Sequence, residues 1–155
     1  MGVLKELRLR LRPPVLQDPD FGRLVYMYIG NDPSRSYWEG EWLFPPTGTT
    51  VSIALPGTAD GPVASGRAFY LSMPGRFDRI MELVRPTLDR VFRECFGRPV
   101  AADLWSDVKL GGFDIEDPDG VPTAWNVGFE SLGDTWLGIT VPFLDEQPQE
   151  PTVDT

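Results

Sequence analysis

Positions 37 to 42 read Tyr-Trp-Glu-Gly-Glu-Trp, two carboxylates and two indoles around one glycine. Paired carboxylates beside aromatic platforms are the groups that cleave glycosidic bonds, one as acid and one as base or nucleophile. In an extended strand, however, side chains alternate between faces, so Glu39 and Glu41 share one face while Trp38, Gly40 and Trp42 share the other. The indoles then cannot serve the carboxylates. Neighbours on one strand also point in parallel, whereas a glycosidase flanks its bond from two sides. The spacing predicts a two-faced strand, with the tryptophans buried and the glutamates facing water or cross-strand arginines such as Arg8 and Arg10.

The densest acidic cluster is Asp114-Ile115-Glu116-Asp117-Pro118-Asp119-Gly120. Its oxygens could hold a hard cation, but the spacing departs from that of a calcium loop and Pro118 sits in its middle, so a hairpin turn is expected. No phosphate-binding glycine motif is present, and no cofactor is implied. Histidine is absent. This removes Ser-His-Asp and Cys-His catalysis, histidine acid-base chemistry and most transition-metal ligation. Cys95 is the single cysteine and falls on the apolar stripe of a helical segment, where a buried thiol is expected. Trp105 and Trp136 stand at element edges; Trp136 falls opposite the apolar face of its strand, a place for a partner-binding anchor.

The elements that must position these residues are legible from period and punctuation. Glu6–Arg12 alternates leucine and charge and predicts a half-exposed strand with an arginine-guarded edge. Asp18-Pro19-Asp20-Phe21-Gly22 is a turn, Leu24–Ile29 a strand, and Ser36–Phe44 and Thr49–Leu55 two more. From Ser72 to Phe96 the apolar residues Phe77, Ile80, Met81, Val84, Leu88, Val91, Phe92 and Cys95 recur at three and four, a helix with Ser72 as N-cap, Gly97 as stop and Pro86 as a kink. Gly66–Leu71 is helix or strand. Val108–Glu116, with a bulge at Gly111-Gly112, then Thr123–Glu130 and Thr135–Leu144 form a second meander. The expected fold is α+β: about seven antiparallel strands in two meanders, one long Pro-kinked helix on one face, a single domain over 1–144 and an acidic, disordered tail over 145–155.

The chain of 155 residues carries 14 basic and 23 acidic side chains, a net charge of −9. Residues 110–155 hold no basic side chain and 10 acidic ones. Nucleic acid and anionic membrane are therefore disfavoured, and a basic protein is the better partner. No apolar run is long enough for a membrane span or a secretion signal, so a cytoplasmic setting is expected. Arginine outnumbers lysine twelve to two, the bias of a GC-rich bacterial genome.

Asp18, Pro19, Phe21, Gly22 and Leu24, followed by Trp38-x-Gly40, a helix and closing strands, resemble a group of small bacterial proteins that look like candidate immunity proteins of polymorphic or contact-dependent toxin systems. Members often carry a Trp-Asp-x-Glu-His-like motif near the C-terminus; here Trp136-Leu137-Gly138-Ile139 lacks its acidic and histidine positions. The acidic C-terminal third leads to a non-enzymatic interaction domain that binds a basic partner, as an immunity protein would, with Asp114, Glu116, Asp117 and Asp119 as the contact residues. Two further readings are a carboxylate-based hydrolase, in which two or more of Glu39, Glu41, Asp114 and Glu130 converge with a Trp or Tyr, and a small-ligand binding module.

Overall fold

The computed structural model describes residues 2–155. In chain order it comprises α1 (Val3–Leu11), β1 (Val15–Asp18), β2 (Gly22–Met27), β3 (Tyr37–Phe44), β4 (Thr49–Thr58), β5 (Gly61–Pro62), α2 (Ala64–Phe96), β6 (Val108–Ile115), β7 (Ala124–Ser131), β8 (Gly138–Leu144), β9 (Gln147–Pro148) and β10 (Thr152–Asp154). The fold is α+β. Strands β1 to β4 form one antiparallel meander and β6 to β8 another, with β2 to β4 and β6 to β8 at the places alternation predicts. The sheet order is β1-β2-β3-β4-β6-β7-β8-β10.

The two meanders join in parallel, through the single register pair Ser52↔Gly112. A β-carbon at Gly112 would lie 2.3 Å from the Ser52 carbonyl oxygen, so only glycine lets the two backbones approach this closely. Beyond that pair the hydroxyl of Tyr70, a fully buried side chain of α2, takes over the pairing. It accepts from the Ala54 N–H (3.1 Å) and reaches the carbonyl oxygens of Ala54 (3.0 Å) and Phe113 (2.9 Å). The helix thus supplies hydrogen bonds that the strands cannot make to each other.

One face of the sheet packs on α2. Its buried residues include Trp38, Trp42, Ile53, Phe113, Trp125, Phe129 and Phe143, against Tyr70, Met73, Phe77, Ile80, Val84 and Leu88 of the helix. β3 behaves as its period predicts: Trp38 and Trp42 are buried, Glu39 and Glu41 exposed. Gly40 shares the buried face because a β-carbon there would stand 2.6 Å from Leu24 Cδ2. The Asp18–Leu24 stretch is scaffold. Asp18 Oδ1 accepts from the N–H groups of Asp20 (2.8 Å) and Phe21 (3.0 Å), and its carboxylate is gripped by Arg67 of α2, which also reaches Asp20. Phe21 packs edge-on against Trp42 at 5.2 Å, with the Arg67 guanidinium over its ring.

Several expectations are corrected. Glu6–Leu11 is helical, within α1, with Arg12 as its C-cap, because leucine and arginine favour helix over strand and Val3, Leu7 and Leu11 also follow a four-residue period. Arg10 therefore pairs with Glu6 of its own helix at 2.9 Å rather than with a β3 glutamate. Its place in the meander is taken by β1, a strand that alternation did not announce. Helix α2 begins at Ala64, so Gly66–Leu71 is helical; Ser72, the expected N-cap, lies inside and donates back to the Phe69 carbonyl at 2.6 Å. Pro74 and Pro86 are both accommodated within one 33-residue helix. Cys95 is exposed, since the last turn outruns the sheet and Phe96 packs on Phe92 in its stead. The 145–155 segment is ordered into β9 and β10, which extend the sheet at β8.

Tyr70→Phe removes the hydroxyl from the junction and leaves the Ala54 N–H and Phe113 carbonyl buried without it; a loss of roughly 1–3 kcal/mol is expected, read as a lower urea midpoint at unchanged slope. Burial alone would raise the Asp18 carboxyl, but the Arg67 hydrogen bonds and the Asp20 and Phe21 amides hold it below its ordinary value. The folded value lies below the unfolded one, so the stability it contributes is complete above the unfolded value and disappears as pH falls through the folded value. Asp18→Asn should therefore be less stable than the parent near neutral pH, and the difference should close in acid, as followed by urea unfolding across the pH series.

Candidate functional site

The face of the sheet opposite α2 carries no helix. One row of outward residues crosses it through paired positions, Glu41–Ser52–Gly112–Gly128–Thr140–Thr152. Its centre, Ser52-Gly112-Gly128, has nothing larger than a hydroxymethyl group, so the row forms the floor of a trough running across the strands. The rows on either side are bulkier. One holds Glu39 and Ala54, then Asp114 and Asn126 beyond the junction; the other holds Lys109, Glu130 and Asp154, with Trp136 lying over Gly138.

Two depressions make up the trough, of about 750 Å³ and about 550 Å³, and they meet at Ser52, Phe113 and Asp114. The larger opens where β4 and β6 diverge and is walled by Tyr37, Glu39, Asp114, Glu116 and Asp117 with Arg35. Its far wall is the 29–36 loop, held by the Ile29 N–H donating to the buried Ser36 hydroxyl at 2.9 Å. The smaller is walled by Asn126, Glu130, Trp136 and Asp154.

Charge is strongly one-sided. Glu39, Glu41, Asp114, Glu116, Asp117, Glu130 and Asp154 outnumber the cations of this face: Arg35, paired with Glu116 at 3.2 Å, Lys109, paired with Glu130 at 3.1 Å, Arg23 on the neighbouring β2, and Arg10 at the rim beside Gly30. These pairs are solvent-exposed and worth little on their own. Asp114 keeps an accessible edge but is ringed by protein at the meeting point of the two depressions. This desolvation, and secondarily the neighbouring Glu116, pushes its carboxyl above the ordinary value. Burial followed by the charges of Glu39 and Asp114 likewise raises the Tyr37 phenol, which stays a hydrogen-bond donor.

Of the residues singled out from sequence, Glu39, Asp114, Glu116 and Asp117 share the larger depression and Trp136 lines the smaller, half-exposed. Glu41 stands on the floor row beside Ser52. Asp119 lies outside the trough, accepting from the Ser65 hydroxyl at the start of α2 (3.1 Å). Trp105 stacks on Phe77 at 6.1 Å, on the α2 side. Tyr37, Arg35, Asn126 and Asp154 were not anticipated. Tyr37 could have been, since it shares the outward phase of Glu39; Asp154 could not, because its strand was read as tail.

Among the described residues, no three His, Cys, Asp or Glu side chains come close enough to hold a metal ion, and no buried side-chain polar atom lacks a hydrogen-bond partner. No helix there is long and apolar enough to cross a membrane. The chain matches no family model, no curated protein and no solved structure.

The Asp114 carboxyl should titrate above the ordinary carboxylate range in a carbon-detected NMR series. Glu116→Gln should lower that midpoint without restoring it to the ordinary value, because burial is the larger cause; a full return would show that the charge of Glu116 alone is responsible.

Proposed function

We propose that this protein is a non-enzymatic interaction domain whose helix-free trough receives a basic segment of a partner protein, in the manner of an immunity protein. The observation that carries the reading is the excess of carboxylates, seven of them, over the few cations around a floor of serine and glycine, with Arg35 and Lys109 already paired. Such a surface attracts lysine and arginine over distance and has room for their aliphatic stems between the walls. Trp136 at one end supplies a partly exposed aromatic anchor of the kind that dominates binding energy. The resemblance of Asp18–Leu24 and Trp38–Gly40 to immunity-type proteins points the same way.

Convergence of Glu39 and Asp114 with Tyr37 in one depression favours a carboxylate-based hydrolase as the second reading. Glu39 and Asp114 stand on β3 and β6, two strand spacings apart, or ~10 Å at the backbone and more where β4 and β6 diverge. Side chains rooted that far apart can converge or splay, so spacing alone does not decide between the readings. Both, however, rise from the same floor rather than flanking a bond. The hydrolase therefore ranks below the docking surface.

A lysine- and arginine-rich peptide should bind and alter Trp136 fluorescence, with affinity falling as salt rises. Asp114→Asn, Glu116→Gln and Asp117→Asn together should weaken it at least about tenfold, while Asp119→Asn should leave it unchanged. Salt-independent binding, or equal effects of the two sets, would refute the assignment, and affinity capture from the native cell would then be needed to find another partner surface.

A further inference from the structure

Helix α1 presents an apolar stripe to solvent. Val3, Leu4, Leu7 and Leu11 are 80, 83, 49 and 72% exposed, and at helical spacing they cover an arc of about 100°. Leu9, the one buried residue of α1, projects from the roughly opposite side and ties the helix to the core. The stripe therefore faces away from the body that carries it. A helix of nine residues, below the ~12–15 at which isolated helices become marginally stable, depends on packing for its stability, and one leucine provides little. Among the described residues nothing covers the stripe.

Charge selects among the candidates. Residues 1–12 hold four basic side chains and one acidic, so the remaining chain holds ten against twenty-two, a net of −12. Glu6 is already engaged by Arg10, and among the described residues Lys5, Arg8 and Arg12 form no ion pair within the chain. Pairing α1 with α1 of another copy would set arginine against arginine. An anionic membrane would attract the helix but repel the body. The acidic trough complements both features of the helix: carboxylates for its arginines, and a serine-glycine floor with space for leucine side chains.

The same surface carries both halves of the contact. The Arg10 guanidinium lies against Gly30, between Ile29 and Asn31 of the trough wall, so α1 stands at the rim of its own trough. A patch with a basic apolar helix beside an acidic groove is self-complementary under a two-fold axis. We propose that two copies of this chain associate symmetrically, each seating α1 in the trough of the other. This rests on reading the trough as a docking face for basic segments and names the segment. Reciprocity doubles the buried surface, which a single nine-residue helix would leave short of the ~800 Å² per partner of a stable interface.

Analytical ultracentrifugation of the full chain over a range of concentration and salt tests this. A dimer that weakens with salt is expected. It should weaken at least about tenfold in Leu4→Glu/Leu7→Glu, which alters only exposed positions and should leave the melting temperature unchanged at dilutions where the parent is monomeric, and similarly in Glu39→Gln/Asp114→Asn. A monomer at every concentration, or a dimer indifferent to either pair, would overturn the proposal. So would a monomer that sediments with phosphatidylserine vesicles through α1. Binding of the basic peptide by the Leu4→Glu/Leu7→Glu protein separates the two levels: if it persists where no dimer forms, the trough reading stands and only its occupant is wrong.

Discussion

The phenolic hydroxyl of Tyr70 is the group on which the rest of the architecture turns. Two meanders, each able to pair its own strands, meet at one backbone register position, and the Tyr70 hydroxyl completes the junction from the far side of the sheet. The arrangement satisfies the backbone groups of two diverging strands without closing the gap between them. That gap is the mouth of the larger depression. Burial raises the phenol far above any physiological pH, so the hydroxyl stays protonated and able both to donate and to accept. Site and core therefore share a single side chain: its ring belongs to the α2 interface and its oxygen shapes the opposite face.

Alternation made most of the sheet legible. The inward and outward phases of β3, β6, β7 and β8 follow from Trp38/Trp42, Phe113/Ile115, Val127/Phe129 and Ile139/Val141, and the bulge beside Gly111 follows from the broken phase there. Alternation assigns a face but not a neighbour. Nothing in the sequence sets Ser52 against Gly112, so nothing brings Glu39 and Asp114 to one depression. Where two periods coexist, the pattern is ambiguous: the leucines of Glu6–Arg12 fit a strand by alternation and a helix by their four-residue spacing, and residue preference decided it. Composition misled at the other end, where an acidic, proline-containing stretch supplies β9 and β10 because the open edge of β8 provides backbone partners.

The letters of the Asp18–Leu24 and Trp38–Gly40 stretches do structural work. Asp18 shapes the β1–β2 turn and holds Arg67, Phe21 packs on Trp42, and Gly40 admits Leu24. Trp38 donates from its indole to the Thr58 carbonyl at 2.9 Å. A likeness in these positions speaks to how the first meander is fastened to α2. The trough is built from other residues, drawn from β3, β4, β6, β7 and the closing strands, so its chemistry can diverge while that fastening persists.

The junction at Ser52 and Gly112 also gives the sheet a line of mechanical weakness. Every other step along the order β1-β2-β3-β4-β6-β7-β8-β10 is a ladder of three or more register pairs, whereas this one rests on a single pair and on the side chain of a helix. Backbone pairing is thinnest along this line, and the shared packing on α2 holds the two meanders together there. The molecule is in that sense a hinge-less clasp: two rigid leaves, fastened from behind by Tyr70, with the trough lying over the fastening.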